Sequence, residues 1–391
     1  MTIERQQLRA WTVGLMAAGL VSLPSATRAE ETQHPVLSTI ASTTLSGYVD
    51  TSAILKFGAG DTVVGRSFDG PSKQNGFNLN VVKLQLEKPL DEGQWSAGYR
   101  VGLMFGPDAN TLASTSSGVA NTTSDFAIKN AYVALRAPVG NGLDFKVGVF
   151  DTLVGYEVME AGNNPNYSRS FAFYLEPIIH TGVLASYKLC DVVSVSGGVA
   201  DPNNPIVNAN QINVRSSVSS LFTYMGALTL TAPESTGFMK GATLTGAVID
   251  NGIASAPDIV HYYAGLSLPT PIKGVTFGAA YDYRGNDAGQ GVSSSYANAI
   301  SGYLVFQVSE KLKWATRAEY ASGTTGTWYA AKPGKSDELL GITTTLDYSL
   351  WASAITRLEF RWDHDLSNTG IFNDGSDVNC LSLALNVIYN F

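Results

Sequence analysis

The segment "LSLALNVIYNF" (381–391) places Leu381, Leu383, Leu385, Val387, Tyr389 and Phe391 on one face of an extended chain. Ser382, Ala384, Asn386 and Asn390 fall on the other. Successive side chains of a strand point to opposite faces, so such a segment has one apolar side and one polar side. In "QWSAGYRVGLMFG", Trp95, Ala97, Tyr99, Val101, Leu103 and Phe105 likewise oppose Ser96, Gly98, Arg100 and Gly102. Sixteen such segments can be marked, near 45–58, 76–88, 94–106, 126–137, 142–150, 180–189, 192–200, 219–231, 239–250, 259–268, 274–284, 297–308, 312–321, 338–348, 354–363 and 381–391. Most are long enough to cross a bilayer as tilted strands, which takes about 9–11 residues.

The connections alternate in length. Those after even-numbered segments are short, with cores "PLDEG", "PVGN", "CD", "APESTGF", "PTPIK", "SEK" and "SLWAS". Those after odd-numbered segments are longer, among them 59–75, 107–125, 151–179, 201–218 and 364–380. Short turns on one side and long loops on the other are the pattern of outer-membrane barrels, and an even strand count puts both chain ends on the periplasmic side. Lipid offers no partners to backbone N–H and C=O groups, so only a closed sheet survives there. The expected fold is all-β: a transmembrane antiparallel up-and-down β-barrel of about sixteen strands. A barrel of that size is wide enough for an aqueous channel.

Composition agrees. Charged residues make up 15% of the chain, against about 25% in ordinary globular proteins. No run of 18 apolar residues follows residue 29, so no membrane-spanning helix is expected there. Trp95, Tyr187, Trp314, Tyr348, Tyr389 and Phe391 fall near the periplasmic ends of their strands. Phe57, Phe105, Tyr283, Tyr320 and Trp362 fall near the external ends. Two such belts form interfacial girdles.

Residues 1–29 have the form of an export signal, with basic Arg5 and Arg9, an apolar stretch Ala10–Leu23, and small residues at Thr27 and Ala29 before a cut. The expected organisation is a signal peptide over 1–29, a short periplasmic segment over 30–44 and the barrel over 45–391. Removing Arg5, Arg9, Arg28 and Glu4 from 25 basic and 33 acidic residues leaves 22 and 32, a net charge of −10. That balance argues against a nucleic-acid partner, which needs clustered Lys and Arg. Cys190 falls in a periplasmic turn and Cys380 at an external strand end, a membrane thickness apart, so no intramolecular disulfide is expected.

One stretch breaks the pattern. Asp151–His180, the third and longest external loop, contains "GNNPNYSRSFAFYLEPIIHTG". Irregular backbone at membrane depth is tolerated only inside protein or beside water. An aromatic-rich, proline-stiffened loop suits a lumenal constriction better than an exposed tip. Asp151, Glu157, Glu160 and Glu176, with Arg169, would then face the pore. Inward positions of the wall supply Arg100, Lys146, Lys188, Arg317, Arg357 and Arg361, with Glu319 and Glu359 between them. Loop acids across from wall bases would make a transverse field over the lumen. The bland alternative is a ladder of lumenal salt bridges.

"VGVFDTLVGYEVMEAGNNPNYSRSFAFYLEPIIHTGVLASYKL" resembles the signature region of the second β-barrel porin family, which includes OmpL-like outer-membrane proteins, and "TLSGYVDTSA" (44–53) resembles the mature start of its members. The resemblance implies an outer-membrane porin that passes small hydrophilic solutes without a cofactor or catalytic residues. Partners are then outer-membrane lipid and lipopolysaccharide, and the barrel-assembly machinery, which reads endings like Phe391. A homotrimer would follow from fold-level analogy.

Other readings remain open at this point. A sugar-selective channel could use Tyr167, Phe171, Phe173 and Tyr174 as an aromatic slide, although these rings can also pack the loop onto the wall. A barrel closed by its own loop could be structural or adhesive. A hydrolase would need Ser168 or Ser170, His180 and Asp151 in hydrogen-bond reach, and the chain lacks G-x-S-x-G. "DHDLSNTGIFNDGSDVN" (363–379) could take Ca²⁺, but Asp and Asn also form turns and the spacing is not that of an EF-hand.

Overall fold

The structure is a computed structural model. It describes residues 42–57, 64–69, 73, 75–92, 95–112, 114, 124–202, 222–251, 258–288, 292–330 and 334–391. The signal-peptide expectation (1–29) lies outside the described residues, as does nearly all of the proposed periplasmic segment.

Sixteen strands form one closed sheet: β1 (Thr44–Phe57), β2 (Gly76–Lys88), β3 (Ser96–Phe105), β4 (Phe126–Ala137), β5 (Leu143–Asp151), β6 (Ile179–Lys188), β7 (Val193–Ala200), β8 (Thr223–Thr231), β9 (Thr243–Asn251), β10 (Ile259–Pro269), β11 (Val275–Asn286), β12 (Ser295–Gln307), β13 (Leu312–Gly323), β14 (Asp337–Trp351), β15 (Ala354–Asp365) and β16 (Asn379–Asn390). Each pairs antiparallel with its sequence neighbours, and β16 returns to β1 in a register from Tyr48↔Asn390 to Phe57↔Leu381. Closure leaves no free edge, as a sheet in lipid requires.

The alternation read from the sequence is the in–out alternation of the wall. Leu55, Leu358, Leu383 and Leu385 face outward and are exposed, while Ser52, Arg317, Glu359 and Asn386 face inward and are buried. Trp95, Trp314, Tyr348, Tyr389 and Phe57 are exposed on the outer surface at strand ends. The turns follow the expected phase with one exception: the connection 232–242, which holds a 3-10 helix, is longer than 252–258 on the opposite side. In the turn after β4, Gly140 and Gly142 take left-handed φ values of 58° and 94°, which glycine adopts without the Cβ penalty. Cys190 is exposed, Cys380 is buried, and both are free thiols.

Three β-bulges interrupt the pairing. Two of them insert buried polar residues into the lumenal face. Between Asp50↔Val81 and Thr51↔Leu79 the extra residue is Asn80. Between Gly102↔Asn130 and Leu103↔Ile128 it is Lys129. A bulge re-aims one side chain, and both residues bond to groups described below.

Candidate functional site

The segment Thr152–Ile178 runs along the inside of the barrel, touching the wall almost all the way round. Its first part buries Leu153 and Val154, beside Phe150 of β5, with Leu184, Met225, Ile249, Tyr263 and Tyr303, from β6 to β12. Tyr156 stacks on Tyr303 with centroids 4.3 Å apart. Its hydroxyl occupies the space a Cβ at Gly278 would need, 2.1 Å away. The middle of the segment turns to the other side. Met159, Ala161 and Phe173 join Tyr48, Val81, Met104 and Ala127 from β1 to β4. Phe171, Ala172 and Leu175 pack on Ala299, Ala321 and Leu339 of β12–β14 and on Trp328.

Local sequence explains the loop's shape. Asn164 receives Val158 N–H (2.8 Å) and donates to Val158 O (2.7 Å), closing the "EVMEAGN" turn. Ser170 caps the short helix α1 (Phe171–Leu175) by accepting Phe173 N–H at 3.1 Å. Arg169 turns back to donate to the carbonyls of Val158, Met159 and Tyr167, and its guanidinium lies 5.5 and 5.7 Å from the Phe68 and Phe173 rings.

The wall then binds the loop's backbone by charge. Glu359 accepts the amides of Tyr167 (2.6 Å) and Ser168 (3.0 Å). Glu319 accepts Phe171 N–H (2.6 Å), and Glu157, from the loop itself, accepts Ser170 N–H (2.7 Å). Arg317 donates to Glu157 (2.8 Å), Glu319 (3.0 Å) and the Ser168 carbonyl (2.7 Å). Arg361 donates to the Arg169 carbonyl (2.5 Å) and to Asp363 (2.8 Å). Arg357 holds the carbonyls of Ala161 (2.6 Å), Gly162 (3.1 Å) and Asn164 (3.2 Å) while pairing with Asp347. On the adjoining wall, two strands along, Tyr167 Oη bonds Ser52 of β1 (3.0 Å), part of a buried cluster with Asn80, Asp50 and Asn386. Charge-assisted bonds of this kind are about twice as strong as neutral ones.

This geometry corrects one expectation. The sequence places loop acids and wall bases on opposite sides of a water gap. The structure brings them into direct contact, and the side chains of Arg317, Arg357 and Arg361 have no exposed surface. A charge without water needs a partner at bonding distance, so Arg317, Arg357, Arg361, Glu157, Glu319 and Glu359 act as the loop's docking network. Arg169 and Glu176 are also buried within it. Asp151 pairs with Lys129 and Glu160 with Lys83, two cations that the sequence had not singled out. Lys83 lay in the alternation, on the inward side of β2. Lys129 did not, because it is the bulged residue. Arg100, paired with Glu87 at 2.5 Å, and Lys146 keep part of their surface in solvent. Lys188 lies at a periplasmic turn, exposed, with Asp191.

Two loop carboxyls are shifted in opposite directions. Burial pushes Glu160 up, but Lys83 and Lys129 outweigh it and hold the group well below the usual carboxylate range. Glu176 is driven well above that range by burial, then by Asp282 and Glu157 nearby.

The residues of the other readings are engaged differently. Asp151 faces Lys129, Ser170 caps its helix, and His180 Nε2 meets Thr152 Oγ1 at 3.1 Å. Tyr167, Phe171 and Phe173 are buried against the wall. In the acidic loop, Asp365 is filled by the amides of Ser367, Thr369 and Gly370 at 2.7–3.0 Å, which makes it a turn former.

A closed sixteen-strand antiparallel barrel with an internal third loop is the architecture of an outer-membrane porin. Residues 42–391 match the family described as "Putative beta-barrel porin-2, OmpL-like", and the chain belongs to that family. Among solved structures it is similar to the outer-membrane channel DcaP of Acinetobacter baumannii (13% identity, TM-score 0.58, covering 89% of this chain and 97% of that one). It is also similar to an anion-selective porin from Comamonas acidovorans (11% identity, TM-score 0.58, 90% and 99%). A third is the trimer form of OmpT from Vibrio cholerae (12% identity, TM-score 0.56, 89% and 99%). No curated protein matches the chain. Family membership and fold together place the protein in the outer membrane as a porin-type barrel.

Proposed function

We propose that the protein lets small hydrophilic solutes diffuse passively across the outer membrane, and that Thr152–Ile178 sets the narrowest part of the path. The observation that carries this reading is the docking of the loop's backbone onto Glu359, Glu319, Arg317, Arg357 and Arg361 inside a closed barrel. A loop held by amide-to-carboxylate and carbonyl-to-guanidinium bonds keeps one shape, which a fixed size limit requires. The buried positions of Tyr167, Phe171 and Phe173 favour this over an aromatic slide for sugars. Export by a cleaved 1–29 segment, recognition of Phe391 by the barrel-assembly machinery, contact with lipopolysaccharide and a homotrimeric state belong to the same reading.

Liposome swelling with neutral sugars of increasing size tests it. The full barrel should admit monosaccharides and exclude larger oligosaccharides. A variant lacking 157–176 should admit larger ones. Equal rates for all sizes in both proteins would remove the loop from its role, and no swelling with either would remove the channel.

A further inference from the structure

The cations inside the barrel are paired with carboxylates near Lys146. Arg100 meets Glu87, Lys129 meets Asp151 and Arg136 meets Asp144. Lys146 is different. It stands on the inward face of β5, partly exposed, and makes no ion pair among the described residues. Its ammonium lies 5.2 Å from the centroid of the Tyr132 ring. Tyr132 is in register with Arg100 on β3. Arg100 holds Glu87 through Nη2, its Nε is buried with no hydrogen-bond partner, and its side chain keeps part of its surface exposed. The other oxygen of Glu87 is taken by Gln85 at 2.9 Å. The partly exposed Lys146 ammonium therefore keeps unused N–H donors beside the lumen, next to the charge of Arg100.

The carboxylates around Lys146, Asp151, Glu87 and Asp144, are each taken by another cation, and the wall from β7 to β10 adds no charge. The inward positions of β7–β10 run from Ser194 to His261 without an Asp, Glu, Lys or Arg. At the depth of Lys146 and below, the wall presents hydroxyl pairs, Ser186 with Ser196 (2.9 Å) and Thr229 with Thr245 (3.0 Å). A cation kept unpaired while its neighbours are neutralised leaves a local positive potential, and charge at a constriction selects counter-ions.

We propose that Lys146, with Arg100 beside it, is a subsite for the oxyanion of a passing solute, a carboxylate or a phosphate, and makes the channel prefer anions. This rests on the porin reading above. An Arg fork next to a Lys point charge suits such groups, the fork for orientation and the ammonium for attraction. The hydroxyl wall can accept or donate to the rest of a polar solute without repelling it.

The test uses the refolded full chain in planar bilayers under a potassium chloride gradient, with acetate and inorganic phosphate then replacing chloride. The wild type is expected to pass chloride over potassium. Lys146→Gln should lower that permeability ratio up to about sixteenfold, because one elementary charge about 5 Å from the ion path gives about fourfold through water for each ion, in opposite directions for chloride and potassium. Lys146→Glu should invert it. Lys146→Arg should retain it, as should Lys240→Gln, an exposed turn position. Acetate and phosphate permeability should fall with chloride in Lys146→Gln, and the two probes separate a carboxylate preference from a phosphate one. A conducting wild type that prefers potassium overturns the subsite and leaves the channel standing, and needs no variant to fold. So does a Lys146→Gln ratio equal to the wild type's in a barrel that migrates as folded. A folded wild type that passes no current overturns both.

Discussion

Arg317→Met should release the third loop without opening the barrel. Arg317 is the only cation bonded to Glu157 among the described residues, at 2.8 Å, and the Glu157 side chain is 1% exposed. Glu319 would keep Arg361 at 3.4 Å and its bond to Phe171 N–H, so it stays compensated. The variant therefore leaves one buried carboxylate without a counter-charge and removes the donor to the Ser168 carbonyl. Breaking one partner of a buried pair costs about 3–5 kcal/mol. The cost falls on loop docking, since the sixteen-strand pairing does not use Arg317's side chain. Amide hydrogen exchange reads it directly, because the N–H groups of Ser168, Ser170 and Phe171 donate to Glu359, Glu157 and Glu319. Exchange at these three amides should accelerate by about two to nearly four orders of magnitude, at 1.4 kcal/mol per decade, while the amides of β13 and β14 stay protected. The double variant Arg317→Met/Glu157→Gln removes the stranded charge and should recover part of the loss, about 0.5–3 kcal/mol of coupling. Protection of the three amides within tenfold of wild type would refute the docking role of the network.

Phe171→Ala, at a ring with no exposed surface, should cost about 3–5 kcal/mol of loop docking, read as increased protease cleavage within 157–176 while the barrel stays intact. Gly278→Val should displace Tyr156, whose hydroxyl holds that space, and remove a stacking contact worth about 0.5–1.5 kcal/mol; altered single-channel conductance checks it. Glu176→Gln should be close to silent below about pH 4.3, where the carboxyl is neutral folded or unfolded, and should stabilise the protein above it, because burial holds the folded carboxyl well above the usual carboxylate range. The sign follows from linkage. A folded pKa raised above the unfolded one contributes stability in full below about pH 4.3, and that contribution is lost as pH rises through the raised folded value. The wild-type melting temperature should therefore fall more between pH 5 and pH 8 than that of Glu176→Gln. Equal slopes would contradict the assignment.

The strands were legible because lipid and lumen impose a period of two on every one of them. The wall residues Arg317, Glu319, Arg357, Glu359 and Arg361 were legible by parity, as charges on an otherwise neutral inward face. Their job was not. Sequence gives the face a side chain points to, but not the distance to what lies opposite, and that distance decides between a field across water and a bonded pair. The loop's own backbone was the missing partner: amides at 167–171 and carbonyls at 161–169 have no signature in residue type. Asn80 and Lys129 were invisible for a different reason, since a bulge shifts the alternation locally. Lys146 stands out only after the neighbouring cations have been paired.

The central claim is a conducting barrel whose path is narrowed by a docked loop. Single-channel recording of the refolded protein, beside a variant lacking 157–176, tests it most directly. Discrete open steps in the wild type and larger steps in the deletion are the predicted result. A folded wild type that stays silent while the deletion conducts would make the loop a plug, and silence in both would contradict the channel itself.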